Sequence, residues 1–130
     1  MDKKILIVED EKALRDALSD KLKNEKFVVI EATNGEEGLK MAVEEQPDLI
    51  LLDIIMPVMD GFTMIGKLRE AEKTKGLTED RIPIILLTNV DQEKGMGPGQ
   101  KLGIYDYLVK SDWGLQNIVK KIKDKLDMRN

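Results

Sequence analysis

The sequence predicts an α/β fold: a doubly wound, five-stranded parallel sheet with helices on both faces. The first observation behind this prediction is a set of five short apolar runs spread along the 130-residue chain. They contain almost no polar alternation, which is typical of strands covered on both faces. The runs are "ILIV" at 5–8, "FVVI" at 27–30, "LILL" at 49–52, "IPIILL" at 82–87 and "YDYLV" at 105–109.

The second observation is that segments with helical spacing separate these runs. Their apolar residues recur at i, i+3 and i+4, the stripe of an amphipathic helix. Strands joined through helices must run parallel, and right-handed crossovers place the helices on both faces of one sheet. The stripes are Ala13, Leu14, Ala17, Leu18 and Leu22; Leu39, Ala42 and Val43; Phe62, Ile65 and Leu68; and Leu115, Ile118, Val119, Ile122 and Leu126.

Two local signals refine this pattern. Asn34, with Glu37 three positions later, has the layout of a capping box at the start of the second helix.

The interval 89–103 should supply the fourth helix, but three glycines and Pro98 fall between positions 95 and 99. A mid-helix glycine costs about 1 kcal/mol and a proline about 3 kcal/mol, so we expect an irregular fourth helix.

The composition excludes several kinds of chemistry. The chain has no cysteine and no histidine, so disulfides, thiolate catalysis, Cys/His zinc sites, a Ser-His-Asp triad and phosphohistidine on this chain are ruled out. The 25 acids and 21 bases give a net charge of −4, which argues against a surface built to hold nucleic acid or anionic lipid. The first apolar run is too short for a signal peptide or a membrane span, so we expect a soluble, cytoplasmic protein.

Reactive side chains follow four of the five predicted strands. Glu9 and Asp10 end the first strand, Asp53 the third, Thr88 the fourth and Lys110 the fifth. The carboxyl ends of parallel strands share one edge of the sheet, where ligands bind. Three carboxylates there repel one another unless a cation lies among them, and oxygen ligands suit Mg²⁺ or Mn²⁺. Because Mg²⁺ usually pairs carboxylates with phosphate oxygens, we expect a phosphoryl group beside it, with Lys110 and Thr88 on its oxygens.

Asp53 is the candidate nucleophile of this site. Four apolar residues, 49–52, lead directly into it, and an unpaired buried carboxylate would cost several kcal/mol. A carboxylate that attacks phosphorus forms an aspartyl phosphate, a known covalent strategy. The sequence therefore predicts that Asp53 accepts a phosphoryl group.

Four motifs resemble those of a response-regulator receiver domain, the phosphoacceptor domain of two-component signalling. They are "ILIVEDE", "PDLILLDIIMPVMDG", "IPIILLT" and "YDYLVK", in this order and near the expected separations. The resemblance covers essentially the whole chain, so residues 1–130 are interpreted as one receiver domain, either stand-alone or excised from a longer protein. It implies the flavodoxin-like strand order 2-1-3-4-5.

The resemblance also implies specific roles at the metal site. Asp53 would be the phosphoacceptor. Asp10, Asp53 and the backbone carbonyl of Ile55 would ligate Mg²⁺, and Glu9 would act through a bound water.

Further roles concern the phosphoryl group and the signal. Lys110 and Thr88 would bind the phosphoryl oxygens, and Tyr107 would be a switch aromatic that moves inward when Thr88 is drawn toward the phosphoryl group. The donor would be a phosphohistidine on a histidine kinase or a histidine phosphotransfer protein, and an output protein that the sequence does not identify would read the change. The chain would catalyse only the phosphorylation and dephosphorylation of its own Asp53, and we expect no nucleic-acid or membrane partner.

Alternative functions are tested by the same residues. A flavin-binding electron carrier is disfavoured because residues 9–12, "EDEK", would repel phosphate. An aspartyl phosphatase would need a second aspartate where Ile55 stands. A binding module that signals without phosphorylation stays open, since Asn89 stands where the family usually has a small residue, and Ser111 where it usually has a proline.

Each site residue also has an ordinary structural interpretation when taken alone. Asp10 could be a helix N-cap, Thr88 a β-branched strand residue and Tyr107 a core residue. Asp60 and Gly61 have the composition of a turn pair. It is the combination of these side chains at the strand ends that favours the phosphoacceptor site.

Overall fold

A computed structural model of the chain describes residues 2–53, 59–74, 82–88, 104–109 and 114–126. For residues 88 and 104–109 the description covers the backbone alone. The elements in chain order are β1 Lys4–Val8, α1 Lys12–Asn24, β2 Val28–Ala32, α2 Gly35–Glu45, β3 Leu49–Asp53, α3 Gly61–Thr74, β4 Ile84–Thr88, β5 Ile104–Val109 and α4 Leu115–Lys125.

The five strands form one parallel sheet in the order β2-β1-β3-β4-β5. The predicted fold and strand order are confirmed. The chain moves outward from β1 to β2 and then returns to the other side of β1 with β3, so the strand order reverses between β1 and β3. In this fold class, ligands bind beside the carboxyl ends of the strands at such a reversal.

Among the strands whose side chains the structure describes, β1, β3 and β4 are buried as the apolar runs predict, and the edge strand β2 is buried only in part. The apolar residues of β1, β3 and β4 have no exposed surface. β2 is an edge strand, and Val28 is 42% exposed. The predicted second run began one residue too early: Phe27 is buried before the strand, and its amide donates to the carbonyl of Leu22 at 3.1 Å. Phe27 therefore belongs to the turn that follows α1. In this turn the preceding residue, Lys26, has a positive φ of 74°.

The core has two layers, one on each face of the sheet. Ile5 and Ile7 of β1 pack with residues of α1 and α4, whereas Leu6 and Val8 pack with residues of α2 and α3. This alternation along one strand places two helices on each face, as predicted for a doubly wound sheet.

The buried face of α1 differs in part from the predicted stripe. Leu18 and Leu22 are buried, but Ala13 and Ala17 are exposed, and Ser19 is buried instead. The Ser19 hydroxyl can lie there because it donates to a carboxylate oxygen of Glu31 on β2 at 3.4 Å. A buried hydroxyl with a partner avoids most of the desolvation penalty.

The predicted capping box at the start of α2 is confirmed, with a variation. The amide of Glu37 donates to Oδ1 of Asn34 at 2.9 Å. The Glu37 carboxylate accepts from the amide of Thr33 at 3.1 Å, one residue before the cap. Two backbone donors at the helix start are thereby satisfied.

The prediction of an irregular fourth helix falls on residues 89–103, which lie outside the described residues, and it stays a prediction. The described helices include no candidate for a membrane-spanning segment.

Two glycines of α2 allow close packing. A methyl group at Gly35 would collide with the backbone carbonyl of Met59, which precedes α3. A methyl group at Gly38 would lie 2.9 Å from a methyl carbon of Val8 and 3.2 Å from the sulfur of Met64. By contrast, a methyl group at Gly66 in α3 would meet nothing within 4 Å.

We expect opposite effects on stability from Gly35→Ala and Gly66→Ala. Gly66→Ala should raise the free energy of unfolding by about 0.5 to 1 kcal/mol, because alanine has the higher helix propensity and no neighbour must move. Gly35→Ala should lower it by about 1 to 3 kcal/mol, since backbone must shift. Urea unfolding of both variants measures the difference, and an equal response of the two would contradict the packing described for α2.

Candidate functional site

The predicted acids meet at the strand reversal. β1 ends at Val8, which is in register with Leu52 of β3, so Glu9 and Asp10 emerge beside Asp53, the last residue of β3. One carboxylate oxygen of each acid can be chosen so that all three lie within 4.8 Å of one another. The structure therefore brings together the three acids that the sequence predicts.

The three carboxylates differ in exposure. Glu9 is 1% exposed and Asp53 5% exposed, whereas Asp10 is exposed. Like charges interact more strongly where water is excluded, so the cluster carries a repulsion that a cation would relieve. The side chains thus form a site with a buried floor and one acid at the solvent rim.

The spacing of these oxygens fits a small divalent cation. Bonds of about 2.1 Å in an octahedron place ligand oxygens about 3 to 4.2 Å apart. The spread of up to 4.8 Å is slightly larger, which leaves room for one acid to act through water. The donor set, oxygen only, is the one that Mg²⁺ and Mn²⁺ prefer.

Glu9 has a second role in the backbone of this loop. Its Oε2 atom accepts from the amide of Glu11 at 3.1 Å. Glu11 is the N-cap residue of α1, and its own side chain makes no capping hydrogen bond. Asp10 is therefore not the helix N-cap, and its simplest structural interpretation is not supported.

Arg15 of α1 is a part of the site that the sequence reasoning missed. Its Nη1 atom donates to the backbone carbonyls of Glu9 at 2.8 Å and Asp10 at 3.4 Å. Its Nε atom forms an ion pair with Oε1 of Glu31 at 3.3 Å. The sequence reasoning assigned no site residue to the end of the second strand, yet Glu31 is one residue from that end. The signal that could have found this network is an arginine on the first turns of the helix that follows the acid pair.

The remaining predicted residues are placed only in part. Thr88 is the last residue of β4, and in that strand Leu87 is in register with Asp53. The backbone therefore ends β4 next to Asp53. Tyr107 lies within β5, paired in register with β4, and nothing is described of its side chain or of that of Thr88. Ile55 and Lys110 lie outside the described residues, as do Asn89 and Ser111, so their roles stay predictions.

Asp60 caps α3 rather than simply forming a turn with Gly61. Its Oδ1 atom accepts from the amide of Thr63 at 3.0 Å, and Oδ2 accepts from the Thr63 hydroxyl at 2.8 Å. The Thr63 amide is the main cause that holds the pKa of Asp60 below its usual value. This cap determines where α3 begins, a few residues beyond Asp53.

The comparison with protein families agrees with this geometry. The family model described as "Response regulator receiver domain" matches residues 5–123. The chain belongs to this family. It is a receiver domain of two-component response regulators, and its role is signalling rather than metabolic catalysis.

Curated relatives of this receiver domain are transcriptional regulators. The chain is 39% identical over 110 residues to the alkaline phosphatase synthesis transcriptional regulatory protein PhoP of Bacillus subtilis. It is 40% identical over 110 residues to the transcriptional regulatory protein SrrA of Staphylococcus aureus. Each alignment covers 85% of this chain but only 43% and 42% of the relatives. The chain thus spans less than half of their length.

Solved structures match this receiver domain over nearly its whole length. A CheY-like response regulator receiver domain protein from Methanospirillum hungatei is 27% identical, with a TM-score of 0.85 over 98% of this chain and 96% of that chain. The chemotaxis protein CheY4 of Vibrio cholerae is 27% identical, with a TM-score of 0.83 over 95% and 98% of the two chains.

The Asp60 cap should make the stability of the receiver domain depend on pH. Because the folded-state pKa of Asp60 is lowered, its charged form stabilises the fold above the unfolded pKa of about 3.9, and this contribution is lost as the pH falls through the folded value. Asp60→Ala should lower the free energy of unfolding by about 1 kcal/mol at pH 7. Asp60→Asn keeps an acceptor for the Thr63 amide and should cost less.

Urea unfolding at pH 7 and at several lower pH values measures these effects. The advantage of the wild type over Asp60→Asn should shrink as the pH falls below about 3.9. A constant difference between these two proteins across the series would contradict the assigned role of the carboxylate.

We expect Asp10→Asn to stabilise the receiver domain when divalent cations are removed. Two unit charges about 4 Å apart interact by about 1 kcal/mol in water, so deleting one of three like charges should raise the free energy of unfolding by about that amount. In excess Mg²⁺ the order should reverse, because the wild type gains more from metal binding. Thermal unfolding in chelator and in Mg²⁺ measures both effects.

Asp20→Asn is the matched control for this prediction, since Asp20 is an exposed acid on α1 outside the cluster. It should change neither the stability in chelator nor the gain from Mg²⁺ by a comparable amount. If Asp10→Asn lowers the unfolding temperature in chelator, repulsion within the cluster is not significant.

Proposed function

We propose that this chain is the phosphoacceptor of a two-component phosphorelay and that Asp53 receives the phosphoryl group in a Mg²⁺-dependent reaction. The observation that carries the proposal is the position of Asp53, 5% exposed at the end of the central strand β3, with oxygens of Glu9 and Asp10 within 4.8 Å. No other described residues form an acidic group of this kind that could hold a metal ion.

The other two acids are less suited to be the nucleophile. Glu9 uses one carboxylate oxygen to accept from the Glu11 amide, so it contributes to the loop structure. Asp10 lies exposed at the rim. Asp53 ends the strand between β1 and β4. A phosphoryl group on Asp53 would therefore lie next to the end of β4, the strand that carries Thr88.

In the proposed transfer, a carboxylate oxygen of Asp53 attacks phosphorus and forms an O–P bond. The P–N bond of a phosphohistidine on the partner breaks, and the imidazole nitrogen keeps the electron pair. Asp10, Asp53 and the backbone carbonyl of Ile55 would hold Mg²⁺ or Mn²⁺, with Glu9 acting through water. The ion would supply positive charge that offsets the repulsion between the carboxylates and the incoming phosphoryl oxygens.

The roles of the remaining residues are part of the same proposal. Lys110 contributes a positive charge to one phosphoryl oxygen, and the Thr88 hydroxyl donates to another. Movement of Thr88 toward the phosphoryl group lets Tyr107 turn inward, and the surface formed by the last strands and helices changes. Hydrolysis of the Asp53 phosphate, promoted by the chain itself, ends the signal.

Membership of the family supports the partners that we propose. A receiver domain is expected to take its phosphoryl group from a histidine kinase or a histidine phosphotransfer protein, which we propose for this chain. We also propose that residues 1–130 act as one domain in the cytoplasm and transmit the signal to a protein partner, without contacting nucleic acid or membrane. The name of one relative, the DNA-binding dual master transcriptional regulator RpaA of Synechocystis, indicates DNA binding; we assign that activity to no part of the described domain.

Phosphorylation at Asp53 can be tested by intact-mass measurement after incubation with acetyl phosphate and Mg²⁺. We expect the wild type to gain one phosphoryl group and to lose that gain in chelator. Asp53→Asn should gain none, because an amide is a poor nucleophile. Asp20→Asn, which alters an acid away from the site, should behave as the wild type.

The opposite result has a defined meaning. If the wild type gains no phosphoryl group and does not bind the phosphoryl mimic beryllofluoride with Mg²⁺, the chain is a binding module that signals without phosphorylation. If Asp53→Asn still gains a Mg²⁺-dependent phosphoryl group, another residue is the acceptor.

A further inference from the structure

Arg15 connects the acid pair to two elements of the fold. Its two hydrogen bonds to the acid loop, Glu9 and Asp10, go to backbone carbonyls, at 2.8 Å and 3.4 Å. The Arg15 side chain is only 13% exposed. A guanidinium group donates in several directions at once, and here it holds both residues of the loop from the side of α1.

Arg15 is in turn held by β2. Its Nε atom is 3.3 Å from Oε1 of Glu31, and Oε2 of Glu31 accepts from the buried Ser19 hydroxyl at 3.4 Å. Glu31 is in register with Ile7 of β1, two residues before Glu9. The ion pair therefore links the second strand to the loop that ends the first strand.

The sheet ladder continues into this loop. The amide of Glu9 donates to the carbonyl of Ala32 at 3.0 Å, and the Glu9 carboxylate accepts from the Glu11 amide at 3.1 Å. With Arg15 on both carbonyls, the backbone on either side of the acid pair is bonded to β2 or to the start of α1. This arrangement restricts the conformations that Glu9 and Asp10 can adopt.

We propose that Arg15 is a positioning residue, which with Glu31 orients Glu9 and Asp10 for a divalent cation. The inference rests on the proposed function for the metal, and it assigns to Arg15 no contact with the phosphoryl group. Groups that orient the ligands of a metal without touching it commonly change its affinity by about 10- to 100-fold when they are removed.

The sign of the effect separates positioning from charge. A cation beside the acid cluster repels Mg²⁺, so by electrostatics alone the removal of Arg15 should tighten metal binding, the more so because Glu31 would keep its negative charge. Loss of orientation should weaken metal binding. The two explanations thus predict opposite changes.

The test measures Mg²⁺ affinity by calorimetric titration for the wild type and three variants. Arg15→Gln should weaken binding about tenfold. Arg15→Lys retains the charge but not the planar fork, and should weaken binding as well. Lys12→Gln is the matched control: Lys12 is exposed on the same helix and pairs with Asp16 at 2.6 Å. Its removal should leave Mg²⁺ affinity unchanged or slightly tighter.

A second measurement does not depend on the metal. Hydrogen exchange of the Glu11 amide, followed by NMR in chelator, reports whether the loop opens. Arg15→Gln and Glu31→Gln should both accelerate this exchange, and Lys12→Gln should not. Thermal unfolding of each variant identifies any loss of global stability, which would accelerate exchange throughout the core.

Three outcomes would decide the matter. Unchanged or tighter Mg²⁺ binding by Arg15→Gln, with unchanged exchange at Glu11, would overturn the positioning role. Weaker binding by both Arg15 variants, with faster exchange confined to the loop, would support it. If the wild type binds no Mg²⁺, the proposed metal site fails separately, and exchange at Glu11 alone decides whether Arg15 orders the loop.

Discussion

The packing of β1 beside β3 is the interaction on which the site depends, because it brings three carboxylates together at the strand reversal. Glu9 and Asp53 are buried and Asp10 lies at the rim, with oxygens within 4.8 Å of one another. Like charges held this close repel one another. They are kept together because β1 and β3 are adjacent and fully buried strands, whose ends cannot move apart without exposing the core. Burial of the sheet thus holds three acidic side chains close to one another.

The surroundings of the site are fixed by polar contacts between elements, rather than by the core alone. Arg15 ties the acid loop to Glu31 of β2. At the other end of the sheet, Glu72 pairs with Arg69 at 2.7 Å and accepts from the amide of Ile82 at 2.8 Å, just before β4. Glu72 is 4% exposed, and a buried ion pair contributes little net stability, so the contact that links α3 to the start of β4 is the hydrogen bond from the Ile82 amide. Glu72 thereby helps to position the start of β4, the strand that ends in Thr88.

The sequence predicted the features that depend on local pattern. Buried parallel strands need continuous apolar runs, so β1, β3 and β4 were predictable, and parallel order brings the acids at the ends of β1 and β3 to one edge. Phe27 was assigned to β2 because an apolar run does not show where a turn with positive φ at Lys26 ends. Arg15 and Ser19 could not be predicted in the same way. Their partner Glu31 is far along the chain, and such contacts exist only once α1 packs beside β2.

The same charge balance suggests why phosphorylation can act as a switch in the proposed reaction. Before transfer the Asp53 carboxylate carries one negative charge. After transfer a phosphoryl group of about −1.5 to −2 takes its place. The site then becomes more negative, although its buried acids cannot move away. Arg15 is engaged by Glu31 and by two backbone carbonyls, and none of these contacts is directed at Asp53. In the proposed reaction the compensation would come from the ion and from Thr88 and Lys110, which the sequence places at the ends of β4 and β5. Because those strands lie on one side of β3 and the Arg15 network on the other, the proposed response to phosphorylation would be directed toward β4 and β5 rather than toward the Arg15 network.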